Sequence, residues 1–234
     1  MENLDYLLDV ICNRMKYLKL LICFIFLSFT FQEKDWDTLL EEMGFVDIQQ
    51  LDPTLRVYLV YTTPHNFMNE TVYSGITKAW LHKDAADKLI KAQQLLKKEY
   101  PDYSLMIYDA ARPFEVQHKM WQLVRGTKNV YYVANPSKGG GLHNYGMAVD
   151  VTIFDSNGYP VDMGTVYDFF GEEAHTNNEK ALLEADKITI EAYNNRQLLR
   201  DVMRRAGFTS VTSEWWHFNA CSRDTARKKY RLIN

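Results

Sequence analysis

Cysteine is scarce in this chain: three in 234 residues, two of which, Cys12 and Cys23, fall within the first 31. Only Cys221 is left for the remainder, so no disulfide framework can form and a hydrophobic core must hold the fold. Proline (6) and glycine (11) are also sparse, and no linker rich in them, internal repeat or low-complexity tract divides the sequence. One folded domain is expected. An excess of either charge is missing too: 27 Lys and Arg face 30 Asp and Glu, a formal −3. A phosphate backbone would need a broad basic surface, so nucleic acid is excluded as a partner. No apolar run reaches the roughly 20 residues that span a bilayer comfortably. What is present, 47% hydrophobic and 14% aromatic residues, excludes disorder and supports a sizeable core.

The first 31 residues stand apart. Lys16 and Lys19 precede an uncharged, mostly apolar run from Leu20 to Phe31, the layout of a secretory signal peptide. Glu2, Asp5 and Asp9 are out of place in a positive leading region, which points to Met15 as the true start or to a dispensable extension before it. Ser28 and Thr30 offer a small-x-small cleavage site, and Ile22 before Cys23 argues against a lipoprotein signal. The expectation is a leader over 1–31 and a domain over 32–234, exported to the periplasm with no stable membrane span after cleavage. An uncleaved anchor and a buried N-terminal helix are the alternatives.

In the remainder, Asp37 to Met43 reads as a short acidic helix and Leu55 to Tyr61 as a β-branched and aromatic strand. Ala85, Leu89, Ala92 and Leu96 at helical spacing predict a helix over Lys83 to Glu99, ended by Pro101. Ser104 to Tyr108 predicts a strand and Pro113 opens a helix to Val124. An irregular, glycine-rich stretch from Asn135 to Gly146 leads into a strand from Ala148 to Phe154, followed by a turn at Asp155–Gly158. Asn194 to Ala206 reads as a helix stopped by Gly207, and a last strand or turn carries Glu214 to Phe218. Helices and short strands alternate without a βαβ rhythm, so the fold class is α+β.

Three segments hold chemistry that a core rarely needs. In Gly141-Leu142-His143-Asn144-Tyr145-Gly146-Met147-Ala148-Val149-Asp150, a carboxylate enters an apolar strand seven residues after a histidine. Such a carboxylate needs a cation or strong hydrogen bonds. A zinc ion held by His143 and Asp150 would satisfy it; a capped turn with a solvent-facing His143, and Asp150 hydrogen-bonded to loop amides, would do so without metal. In Glu214-Trp215-Trp216-His217, residues three apart can act together only in a turn or irregular backbone. His217 would be a third zinc ligand, leaving the fourth position open to water, with Glu214 the base that moves its proton to the leaving amine. The alternative is a buried Trp pair flanked by polar residues. In Tyr108-Asp109-Ala110-Ala111-Arg112-Pro113, Arg112 can offer a planar fork to a developing oxyanion, or simply pair with Asp109. Cys221, four after His217, reads as a buried, inert thiol rather than a ligand. His118 reads as surface and His175 as a loop residue near the cleft.

Together these segments resemble the D-alanyl-D-alanine dipeptidase family of zinc peptidases. That family carries S-x-H-x-x-G-x-A-x-D, then E-x-W-H, with G/A-x-R-P upstream. Here His143, Gly146, Ala148 and Asp150 stand in register, followed by Glu214, Trp216 and His217, with Ala110-Ala111-Arg112-Pro113 before them. The stretches Tyr61–Phe67, Met163–Phe170 and 195–213 are similar as well, so the resemblance runs from about Asp52 onward.

The resemblance implies a single α+β domain with a central antiparallel sheet flanked by helices and one zinc in a cleft on that sheet. It makes His143, Asp150 and His217 the ligands, Glu214 the catalytic base and Arg112 the transition-state stabiliser. Asp168, with Tyr61 in substrate binding, would hold the free ammonium of a small dipeptide substrate. One departure stands out: Gly141 occupies the position where the family carries a substrate-binding serine, which leaves the dipeptide open, and the Gly139–Gly141 run suggests a flexible lip. Two rivals share the motifs: a zinc carboxypeptidase or endopeptidase trimming cell-wall peptide stems, and a zinc-stabilised binding domain without catalysis. Oligomeric state is not legible.

Overall fold

The computed structural model describes residues 34–234, together with 14 and 15; the rest of the expected leader lies outside the described residues. Residues 35–234 form one unit. Among the described residues no helix is long and apolar enough to cross a membrane.

The unit opens with α1 (Trp36–Glu42), capped by the Asp35 side chain on the Thr38 amide. Then come β1 (Val46–Asp47), the one-turn α2 (Ile48–Leu51), β2 (Arg56–Val57) and β3 (Trp80–Leu81). The long α3 (Lys83–Glu99) and β4 (Ser104–Asp109) follow, then α4 (Phe114–Val124), with Pro113 just before its first turn. After three 3₁₀ turns come β5 (Ala148–Phe154), α5 (Glu179–Glu184) and α6 (Ile190–Ala206). β6 (Thr209–Ser210), β7 (His217–Asn219) and α7 (Arg223–Lys229) complete the chain.

The main sheet runs β2-β4-β5-β7-β6, and β1 pairs with β3 in a small second sheet. The expected antiparallel sheet is found with one exception, since the edge strand β2 runs parallel to β4. Helices α3 and α6 pack on each other, α3 against β4 and α6 against β5. Their apolar faces, Ala85, Leu89, Ala92 and Leu96 on one and Leu199, Val202, Met203 and Ala206 on the other, are buried in the core.

Side chains alternate across β5, so Val149, Val151 and Ile153 lie on one face of the sheet while Asp150 points to the other. Strand β4 then does something the sequence does not advertise. Leu105 and Ile107 pair with Ile153 and Val151, but a register shift after Ile107 makes Asp109, not Tyr108, the partner of Asp150. A bulge of one residue carries every later side chain to the opposite face. Asp109 is thereby brought beside Asp150 instead of among the aliphatic core.

Two expected elements differ. The strand predicted over Leu55 to Tyr61 ends at Val57, and Val60–Thr62 forms a 3₁₀ turn. The hydroxyls of Thr62 and Thr63 donate to the carbonyls of Leu59 and Val60, local bonds that replace a ladder. The helix predicted from Asn194 begins at Ile190, because Thr189 caps the amide of Ala192.

Candidate metal centre and its cleft

His143 sits in a buried 3₁₀ turn, Leu142–Tyr145, that neighbouring bonds over-determine. The wholly buried Asn144 side chain accepts from the Gly141 amide at 2.9 Å and donates to the Arg112 carbonyl at 3.0 Å, while the Arg112 amide donates to the His143 carbonyl at 3.0 Å. The turn exits through Gly146 at φ +61, where a Cβ would lie 2.3 Å from the Phe45 ring. Gly140 has φ +69 and a Cβ there would come within 2.4 Å of the Asn144 side chain, so glycine is needed for close approach.

Asp150 and His217 are register partners across β5 and β7, which sets their side chains next to each other. Glu214 to Trp216 are irregular backbone, and the strand begins only at His217, as the joint use of Glu214 and His217 demands. His143 Nε2 lies 3.2 Å from Asp150 Oδ1 and 3.1 Å from His217 Nδ1, and His217 Nδ1 lies 2.9 Å from the same oxygen. The other nitrogen of each ring is engaged: His143 Nδ1 donates to the Ala110 carbonyl at 2.7 Å and His217 Nε2 to Asn219 Oδ1 at 2.9 Å. Both converging nitrogens therefore present lone pairs to a carboxylate oxygen. Three acceptors at such distances repel unless a cation lies among them, and one proton cannot bridge all three contacts. Two neutral imidazoles and one carboxylate, with each imidazole oriented by an outer hydrogen bond, suit a divalent metal such as zinc.

The electrostatics favour positive charge at the trio. Burial works to raise the Asp150 carboxyl, but His143 and His217 prevail and hold it well below the usual carboxylate range. Burial works to lower His143, and the Asp150 carboxylate prevails in raising it. Tyr167 donates to the second oxygen of Asp150 at 2.8 Å, which leaves Oδ1 for the ion. Replacing His143 by Ala removes one of three candidate ligands and should leave less than about a tenth of the zinc that binds the unaltered protein; elemental analysis showing full occupancy in that variant would overturn this ligand set.

A cleft of about 680 Å³ opens over this trio, and Tyr61, Arg112, Asp168 and Glu214 line it with His143, Asp150 and His217. Every site residue expected from the sequence thus meets at one place. Arg112 is buried and pairs with Asp109 as the plainer reading foresaw, yet it also faces the cleft. Its Nε and Nη2 donate to Asp109 Oδ2 and its Nη1 to Gln117 Oε1. Tyr73 donates to the other oxygen of Asp109, and the Arg112 guanidinium stands 5.3 Å from the centre of the Tyr61 ring.

Glu214 lies 4.0 Å from His217 Nδ1, beside the His143, Asp150 and His217 group that converges as a metal site, and burial pushes its carboxyl up to about 7. Asp168 accepts from the Tyr61 hydroxyl at 3.0 and 3.1 Å, and burial pushes its carboxyl up to about 7 as well. Its backbone is left-handed, φ +60, an uncommon state for a residue other than glycine. The loop that carries it is held at both ends by one side chain: buried Arg196 on α6 donates Nε to the Met163 carbonyl at 2.7 Å and Nη2 to the Glu173 carbonyl at 2.9 Å.

Sequence reasoning missed the supporting residues Asn219, Tyr167, Tyr73 and Gln117. Asn219 was open to discovery, because it stands two after His217 on a strand and so shares its face. Cys221 borders the cleft but not the trio, since His217 lies in a strand and not a helix. His118 is exposed, and His175 bonds the Tyr132 hydroxyl at 3.0 Å.

Fold and site together define a metallopeptidase. A family model described as D-ala-D-ala dipeptidase matches residues 41–232, and the chain belongs to that family of M15 peptidases. It is 32% identical over 173 residues to the D-alanyl-D-alanine dipeptidase of Escherichia coli (strain K12), covering 74% of this chain and 82% of that protein. The D-alanyl-D-alanine dipeptidase of Enterococcus faecium is 28% identical, over 76% of this chain and 91% of its own. Among solved structures, the LdcB LD-carboxypeptidase aligns with a TM-score of 0.40 at 20% identity, over 68% of this chain and 67% of its own.

Proposed function

We propose that this chain is an exported zinc dipeptidase, with one zinc per chain, that hydrolyses D-alanyl-D-alanine or a similar peptidoglycan-derived dipeptide into free amino acids. The observation that carries the reading is the shared cleft, in which a His–Asp–His trio faces Glu214, Arg112 and Asp168. His143, Asp150 and His217 would hold the zinc, which supplies Lewis acidity: it polarises a carbonyl and makes water acidic enough to lose a proton near neutral pH.

The chain's own groups do the rest. Glu214, with a carboxyl near neutrality, takes a proton from the attacking water and returns it to the leaving amine. Arg112 has five N–H groups, of which three are engaged by Asp109 and Gln117. The remaining two point charge-assisted hydrogen bonds at the oxygen that becomes negative. Because Asp109 and Gln117 already fix the fork, little reorganises when that charge develops. Asp168 and Tyr61 hold the substrate ammonium. A site kept only for structural zinc or for binding needs neither Glu214 nor Arg112, which argues against the non-catalytic rival.

The stem-trimming rival draws on the size of the cleft, about 680 Å³, which leaves room beyond a dipeptide. Zinc-loaded protein, assayed on D-alanyl-D-alanine, its L,L counterpart and a pentapeptide stem ending in D-alanyl-D-alanine, separates the two. Turnover of the free D,D-dipeptide with the stem left intact is expected; the reverse pattern assigns the rival activity.

A further inference from the structure

The dipeptide reading leaves one group of the substrate without a partner, its C-terminal carboxylate. Gly141 has no side chain to meet it, and its amide is already given to Asn144. The lysine and arginine residues that line the cleft are Arg112, Lys138 and Arg223. Arg112 is committed to Asp109 and Gln117 on one side and to the reacting oxygen on the other. Lys138 and Arg223 are exposed, and among the described residues neither side chain makes an ion pair or hydrogen bond.

These two cations belong to one part of the cleft. Arg227 lies one helical turn beyond Arg223 on α7, so the two share a face. The Arg227 guanidinium donates to the Lys138 carbonyl, which ties that face of α7 to the segment carrying Lys138. Asp168 joins the trio by a separate route. From Asp168 the contacts run to Tyr61, from the Tyr61 ring to Tyr167, and from the Tyr167 hydroxyl to Asp150. They continue through His217 to Asn219, four residues before Arg223, and through His143 to Gly141, three residues after Lys138. Asp168 and the two exposed cations thus line the same cleft and connect to the trio through different segments.

We propose that Lys138 and Arg223 form a carboxylate-binding part of the cleft, which reads the free C-terminus of the peptide. The idea rests on the dipeptidase reading for its ligand but not for its test. A zwitterion aligned between Asp168 and this pair presents one peptide bond to the trio, and a peptide with an amidated C-terminus loses one of its two anchors.

Binding is measured by calorimetry on zinc-loaded Glu214→Gln protein, so that turnover plays no part, with D-alanyl-D-alanine and its C-terminal amide as probes. The free acid should bind about tenfold more tightly than the amide, as expected of a charge-assisted contact at a partly exposed site. Adding Lys138→Met and Arg223→Met should bring the acid down to the level of the amide and leave amide binding and the melting temperature unchanged. The pair Lys138→Arg and Arg223→Lys keeps both charges and should keep the gap. Raising the salt from 0.05 to 0.5 M should narrow the gap in the parent and not in the methionine variant. Equal affinity for acid and amide in the parent, or a gap that survives both methionines, would overturn the proposal. Turnover of the dipeptide by the native protein is scored separately and decides only the dipeptidase reading.

Discussion

Glu214→Gln protein keeps its zinc and loses 10²- to 10⁴-fold in kcat, roughly the contribution of a positioned proton carrier. The amide is almost isosteric with the carboxyl and accepts the same neighbours, so the cleft and the trio stand unchanged. It cannot take up a proton and give it back. The effect belongs in kcat more than in KM, because the group acts on a proton that moves only during reaction. Loss of metal along with activity would make Glu214 a ligand. Retention of the native kcat would move the base elsewhere in the cleft.

N-acetylating the dipeptide should cost about 2–5 kcal/mol in kcat/KM, the usual range when one partner of a buried charge pair is left alone. Asp168 is the residue exposed to that loss. It is enclosed by Tyr61 and by the loop that Arg196 holds, and burial already pushes its carboxyl up to about 7. The carboxylate form binds the ammonium, so in the free enzyme KM for the dipeptide should fall as pH rises through that value, and rise below it as the group protonates. Asp168→Asn should remove this limb of the pH profile and narrow the difference between free and acetylated dipeptide by penalising the free one. Equal kcat/KM for the two peptides in the native protein would withdraw the dipeptidase assignment in favour of stem trimming, which must accept blocked amines.

The residues that meet in the cleft were legible because residue type and spacing carry them. His143 and Asp150 stand in one short stretch, Glu214 and His217 in another, and no common core device explains both. Helix α3 and strand β5 were legible from periodicity alone. The supporting residues were not, since their roles depend on quantities a linear pattern does not contain. Tyr167 reaches Asp150 across a loop, Tyr73 reaches Asp109 from a distant segment, and Ala110 contributes only its carbonyl. The Leu55–Tyr61 segment misled for a related reason. Its residue types favour a strand, but threonine hydroxyls at its end claim the carbonyls that a ladder would have used.

The register shift in β4 makes part of the site a matter of counting. Asp109 faces Asp150, and can hold Arg112, only because one extra residue stands between Ile107 and the pairing that follows. Tyr108, the residue passed over, could change its identity with little consequence for that layout. Its removal could not, because regular pairing would turn Asp109 toward the aliphatic side of the sheet and strand Arg112 without its anchor. This short strand should therefore admit substitutions and reject insertions or deletions, whereas the turn at Asp155–Gly158, at the far end of β5 from His143, can change length at small cost. Within a lineage of such chains, gaps should collect at that turn and stay out of β4, and a copy that lost one residue there would keep the residues of the cleft while losing the anchor of Arg112.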